Sequence, residues 1–343
     1  MVEQNVASGN VKMFADDAKE MLKIEDLKVV FQTSNSVVKA VDGVSFAVRE
    51  HESFGIVGES GSGKSVTCRS IVRLIHPPGK IISGSISFEG KNILTLPERE
   101  LNMVRGRQIG MIFQDPMTAL NPVMKIRDQI LETFREDRSY EGEAAIERAV
   151  SLMKMVGIPA PERRLNEYPH QFSGGMRQRV MIAISLSRSP RLLLADEPTT
   201  AVDVTIQDQI LKLLLHIQHE VGMGLVLVTH DLGVVAQTCD RVAVMYAGRI
   251  MELTDTVTLF KTPHHPYTMG LMNSIPSEML PGGKLQPIPG QPPNMARLPS
   301  GCRFSPRCSF ASDECFTGEF PLRAVGSAHF SACIKDVRPG QGE

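Results

Sequence analysis

The sequence lacks an excess of either charge: 37 Lys and Arg against 38 Asp and Glu leave a formal net charge of -1. No global basic field is present to draw the chain to nucleic acid or to an anionic membrane, so any such partner must be met locally. Long hydrophobic runs are also missing. Apolar runs such as residues 180–186 and 225–228 fall far short of the roughly 20 residues that a spanning helix needs. If the chain works at a membrane, other subunits must span it. Residues 1–20 carry no apolar stretch behind a basic start, so no secretory leader is expected and the chain is expected to stay in the cytosol. Internal repeats and long low-complexity tracts are absent as well. What remains is an ordinary globular composition: 343 residues, 42% hydrophobic, enough to bury a substantial core in one large domain or two.

The patterning supplies an order of elements. Residues 27–31 and 44–48 are rich in β-branched and aromatic side chains and flank a polar turn at 32–36, which predicts a small antiparallel layer. A short apolar strand at 53–57 is followed by a glycine-rich loop and by helical spacing over 65–74. Residues 127–165 are charge-rich, with Ile146, Val150, Met153 and Val156 at helical intervals, and predict a mostly helical insert. Strand and helix then alternate: strands at 192–195 and 225–229 about a helix at 206–220, with a strand pair around 242–252. Such alternation implies a parallel sheet covered by helices. From Pro276 to Gly301 prolines and glycines become dense, marking a linker or an extended wrapping segment.

The sharpest motif is Gly58, Glu59, Ser60, Gly61, Ser62, Gly63, Lys64 and Ser65, a complete G-x-x-x-x-G-K-S loop between a strand and a helix. Glycines let consecutive backbone N–H groups face phosphate oxygens, and the helix that follows directs its positive end there. Lys64 is expected on the β- and γ-phosphates of a nucleotide, and the Ser65 hydroxyl on Mg²⁺, a hard cation that prefers oxygen. Downstream, an apolar strand ends in Asp196 and Glu197. Asp196 is expected to hold Mg²⁺ through water, and Glu197 to polarise the attacking water as general base.

Ser173, Gly174 and Gly175, within Phe172-Ser173-Gly174-Gly175-Met176-Arg177-Gln178-Arg179, form a second anion site at a helix start. With Gln114 before Asp115 and Pro116, with Thr200, Ala201, Val202 and Asp203, and with His230 after a strand, the set resembles the ATP-binding cassette (ABC) family. The stretch from Leu22 to Cys333, including His265, Pro266, Tyr267 and Thr268, is similar to the D-type ATPase subunits of dipeptide and oligopeptide importers. Phe172 and Met176 stand where the family signature usually has Leu and Gln, a departure that leaves the Ser-Gly-Gly anion site intact.

The resemblance implies an α/β fold of the P-loop NTPase type. It has an antiparallel β layer, a helical subdomain at about 115–175 within an ATPase domain over 22–275, and a small cysteine-bearing extension over 276–343. It implies an ATPase that energises peptide import, in which Gln114, on the Q-loop, reaches Mg²⁺ and His230 contacts the γ-phosphate. Asp203 lies on the D-loop, and Ser173, Gly174 and Gly175 face ATP held by a second subunit. Phe31 stands where the family stacks an aromatic on adenine, and equally reads as a core residue. The implied partners are a related second ATPase subunit in a heterodimer, two membrane-spanning permease subunits and a periplasmic or extracellular peptide-binding protein, with no nucleic acid. The chain would be peripheral, on the cytoplasmic face of the inner membrane.

Six cysteines are present. Cys68 and Cys239 read as small core residues. Cys302, Cys308, Cys315 and Cys333 crowd into the tail, and in a reducing compartment clustered thiols read first as a metal site. Their spacing lacks the C-x-x-C clips of common zinc sites, yet zinc, a [4Fe–4S] cluster and unliganded thiols all stay open. The matching tail of peptide-importer ATPases, which binds such a cluster in some members, favours iron–sulfur. Two rival functions share the motifs: an ABC ATPase acting on nucleic acid or ribosomes, and a transporter for nickel or a glutathione-like cargo. Against the first, the chain has no heptad-rich arm, no second cassette and no basic stripe.

Overall fold

The computed structural model describes residues 19–34, 36–115, 119–135, 140–200, 203–274 and 287–335. Two sheets organise it. An antiparallel sheet of order β2-β1-β4-β5 contains β1 (Glu20–Gln32), β2 (Val37–Arg49), β4 (Gly79–Phe88) and β5 (Lys91–Asn92). An eight-stranded sheet has the order β11-β12-β10-β9-β3-β8-β7-β6. Within it, β9 (Arg241–Tyr246), β3 (Ser53–Val57), β8 (Gly224–Thr229), β7 (Leu192–Asp196) and β6 (Ile109–Ile112) run parallel. β10 (Arg249–Asp255), β12 (His329–Ser331) and β11 (Arg323–Gly326) continue it antiparallel at one edge.

The parallel strands read as unbroken apolar runs because both faces are covered: every residue of β3, β7, β8 and β9 is buried. Strand periodicity divides these residues between two cores. Leu192 and Leu194 join the core under the antiparallel layer, with Phe54, Ile56, Val226 and Val228. Leu193 and Ala195 point the other way and join a second core with Leu225 and Leu227 and with helices of the insert and the following chain. Cys68 and Cys239 are buried in these cores.

The insert forms helices Ile126–Glu132, Glu143–Met155 and Pro161–Arg164, packed with helix Gly174–Leu186. The predicted apolar stripe is rotated in the structure. Ala145, Ala149, Leu152, Met153 and Val156 are buried, whereas Ile146 and Val150 are half-buried. Two alanines allow the close helix approach that larger side chains would prevent.

Residues 287–301 run without helix or strand back over the ATPase body, where Lys39 N–H donates to the Met295 carbonyl and Ile288 packs near Gly270. The expected boundary at 275/276, and the first part of the proline-rich stretch, lie outside the described residues. The tail beyond is built onto the main sheet, since β12 pairs with β10 through Glu252↔Ser331 and Leu253↔Phe330. No helix among the described residues is long and apolar enough to cross a membrane.

Candidate functional site

The phosphate loop leaves β3 at Val57 and enters helix Lys64–Ile71 through Gly63, whose φ of 103° is left-handed. A Cβ at Gly63 would strike the Ala40 carbonyl, and one at Gly58 the Met245 carbonyl, so packing as well as φ demands glycine there. Lys64 is 4% exposed and donates to the carbonyls of Gly58 (2.7 Å) and Glu59 (3.0 Å). Burial lowers the pKa of its ammonium, against the opposing pull of Glu197, Asp196 and Glu59.

β7 delivers two carboxylates to different fates. Asp196 is fully buried, near Ser65 and 3.4 Å from Arg69 Nη2, while its Oδ1 has no hydrogen-bond partner. Burial raises its pKa, and Ser65 and Arg69 oppose the rise. A buried, half-satisfied carboxylate beside a serine hydroxyl is an oxygen donor set that fits a hard cation such as Mg²⁺. Glu197 follows with a left-handed φ of 47°, and its N–H donates to the Val228 carbonyl (3.0 Å). That conformation costs a non-glycine residue about 1–2 kcal/mol, and it turns the second carboxylate out of the sheet. There its Oε2 accepts from Gln114 Nε2 (3.1 Å) and Thr200 Oγ1 (2.9 Å) and lies 3.7 Å from His230 Nδ1. Its Oε1 is 4.0 Å from Lys64 Nζ. Lys64, Ser65, Gln114, Asp196, Glu197 and His230 are thereby brought together at the carboxyl ends of β3, β6, β7 and β8, where parallel α/β sheets place ligands.

Other predicted residues stand apart from that cluster. Ser173 caps helix Gly174–Leu186, its Oγ accepting Met176 N–H at 3.3 Å, with open space around Gly174. Phe172 is buried under Arg164, whose guanidinium carbon is 5.6 Å from the ring centroid, so the departure from Leu serves packing. Phe172→Leu should therefore lower the unfolding free energy by about 1 kcal/mol, read from the urea midpoint. An unchanged midpoint would show the ring contributes nothing. Asp203 caps helix Val204–Val221, Oδ1 accepting Ile206 N–H at 2.9 Å. Ala201, Val202 and Pro116 lie outside the described residues. Phe31 is half-buried on β1 against Gly79.

Cys302, Cys308, Cys315 and Cys333 line one cavity, with His265, Phe304 and Phe310 among its walls. Burial raises the pKa values of Cys302, Cys308 and Cys333, that of Cys308 to about 11, and holds the His265 imidazole neutral, pushed down to about 4. Among the described residues no group of three or more His, Cys, Asp or Glu is placed to hold a metal ion. Tetrahedral zinc, with Zn–S of about 2.3 Å, needs four sulfurs within about 4 Å of one another. Neither tetrahedral zinc nor an iron–sulfur cluster therefore finds a ready-made ligand set among the described residues, although the four thiols share one cavity.

Sequence reasoning missed Arg69 on Asp196, and it missed the side chains through which the tail reaches the body. Arg307 pairs with Glu59, Arg303 with Asp42, and His329 Nε2–H donates to the buried Glu252. Their partners are remote in sequence, and no local pattern signals them.

Residues 41–200 match the family model described as ABC transporter, and residues 251–315 match the one described as oligopeptide/dipeptide transporter, C-terminal region. The chain is 50% identical over 312 residues to the oligopeptide transport ATP-binding protein OppD of Bacillus subtilis, covering 90% of this chain and 87% of the relative. It is 48% identical to the protein of that name from Salmonella typhimurium, covering 93% and 95%. Among solved structures, a dimeric post-hydrolysis state of the ATP-binding cassette MJ0796 bound to ADP and Pi superposes with a TM-score of 0.62. It shares 29% identity and covers 69% of this chain and 99% of that one. A phosphate loop, a buried Asp196 and a turned-out Glu197 on this sheet, with relatives matched along nearly their whole length, place the chain in the ATP-binding subunit family of ABC transporters, as a transport ATPase.

Proposed function

We propose that this chain hydrolyses ATP to drive an importer of di- and oligopeptides. The observation that carries the ATPase reading is the Glu197 carboxylate, held by Gln114 and Thr200 within reach of Lys64 and His230. The peptide cargo is supported by the C-terminal region match and by the relatives' names.

Lys64 leaves the Gly58 and Glu59 carbonyls to meet the β- and γ-phosphates, and loop amides receive the remaining oxygens. Ser65 and Asp196 would hold Mg²⁺, which would neutralise phosphate charge. Glu197 takes the proton of the attacking water, oriented by Gln114 and Thr200, and His230 swings from its exposed position to the γ-phosphate. Ser173, Gly174 and Gly175 present a second anion site at a helix start, suited to ATP on a facing subunit, so two chains sandwich two nucleotides and closure drives the stroke. The second chain is a related ATPase subunit. Both sit peripherally on two membrane-spanning subunits at the cytoplasmic face, and an external peptide-binding protein delivers cargo.

The four tail thiols would hold an iron–sulfur group, a reading supported by their lining one cavity. Anaerobically purified chain should contain about four irons per polypeptide, and Cys308→Ser should lose them. Iron-free wild type would refute the group while leaving the ATPase reading in place.

For cargo, cells deleted for this chain should lose uptake of labelled oligopeptides and regain it with wild type. Restored nickel or glutathione uptake without peptide uptake would overturn the peptide assignment.

A further inference from the structure

The second residue of the phosphate loop is acidic, which is an electrostatic liability beside a polyphosphate. The structure shows how that liability is managed. Glu59 is gripped by the tail, 248 residues away in sequence. Arg307 closes a two-pronged ion pair on its carboxylate, Nη1 to Oε2 at 2.6 Å and Nη2 to Oε1 at 3.0 Å. The guanidinium is itself fixed: Nε donates to the Pro289 carbonyl (2.8 Å), Nη1 reaches the Tyr246 hydroxyl (3.3 Å), and the group lies 5.8 Å from the Tyr246 ring centroid. The Glu59 main chain is held as well, its N–H donating to the Tyr267 hydroxyl at 2.8 Å. Arg307 is immediately followed by Cys308, one of the thiols lining the tail cavity.

We propose that Arg307 is a positioning residue of the nucleotide site: it neutralises Glu59, turns its carboxylate away from the bound phosphates, and makes the cysteine-bearing tail a working part of the ATP-binding loop. Arg307 does not touch the reacting atoms, so its loss acts on binding. A bare carboxylate in the loop opposes the incoming polyphosphate, and a loop freed from Arg307 must be ordered by the nucleotide itself. The prediction that separates this from mere support of the fold is charge-specific rescue. Once Glu59 is made neutral, Arg307 has no charge to cancel.

This inference rests on the ATPase reading above. The test is calorimetric binding of MgATP to the full-length chain, with KM and kcat for hydrolysis measured alongside. Arg307→Ala should raise the Kd and KM for ATP about tenfold, with kcat changed by less than about twofold. Arg307→Ala combined with Glu59→Gln should recover most of that loss. Should the alanine variant fail to fold, Arg307→Gln keeps most of the side chain's length beside Tyr246, and the same comparison is made with and without Glu59→Gln. An Arg307 variant that binds MgATP as wild type does, or a double variant as weak as the single, overturns the coupling. Wild type that binds no MgATP overturns the ATPase reading together with it.

Discussion

Glu197→Gln should reduce ATP turnover by about 10²–10⁴-fold, the usual worth of a positioned general base, while MgATP still binds. The amide keeps the shape of the carboxylate and can still meet Gln114 and Thr200, but it cannot take a proton from water. The Glu197 backbone, strained at φ 47°, stays anchored by its hydrogen bond to the Val228 carbonyl, so the loss is chemical and not structural. Because closure requires ATP and reopening requires hydrolysis, the variant should accumulate as an ATP-bound closed pair with its partner subunit, visible by size-exclusion chromatography. A variant that hydrolyses at the wild-type rate would remove Glu197 from the chemistry.

Lys64→Ala acts one step earlier. Its ammonium is buried beside three carboxylates, those of Glu197, Asp196 and Glu59, and its hydrogen bonds run to two loop carbonyls. Removing it leaves a loop lined by acidic groups, and MgATP affinity should fall at least about a hundredfold, as truncating one member of a desolvated charge pair does. The unfolded-state balance differs: alanine loses the lysine's contacts but also sheds a buried charge, so the thermal midpoint without nucleotide should move by only a few degrees. That contrast, lost affinity in a folded chain, is the signature of a binding role. Equal loss of both would make Lys64 a structural strut.

The two carboxylates, the phosphate loop and the strand order around them were legible because each is written in contiguous residues. An apolar run that ends in Asp196 and Glu197, and a glycine loop that ends in Lys64 and Ser65, carry their own context. What stayed hidden was set by tertiary partners. The left-handed turn at Glu197 follows from its place between β7 and β8, and nothing in its side chain signals it. Arg69 and Arg307 find their carboxylates 127 and 248 positions away, beyond any periodicity. The insert's helical period was readable, but which side of Glu143–Met155 faced inward was decided by Ala145 and Ala149, small residues that hydrophobicity ranks below Ile146 and Val150. β11 and β12 have four and three residues, too short for alternation to register. They become strands because the β10 edge needs a partner.

The most direct test of the whole account is ATP hydrolysis in proteoliposomes that contain this chain with its partner ATPase and the membrane-spanning subunits. A peptide-loaded binding protein added on the outer side should raise the hydrolysis rate and bring peptide into the lumen, with both lost in Glu197→Gln. Hydrolysis that proceeds at a fixed rate with no peptide entering would contradict the account.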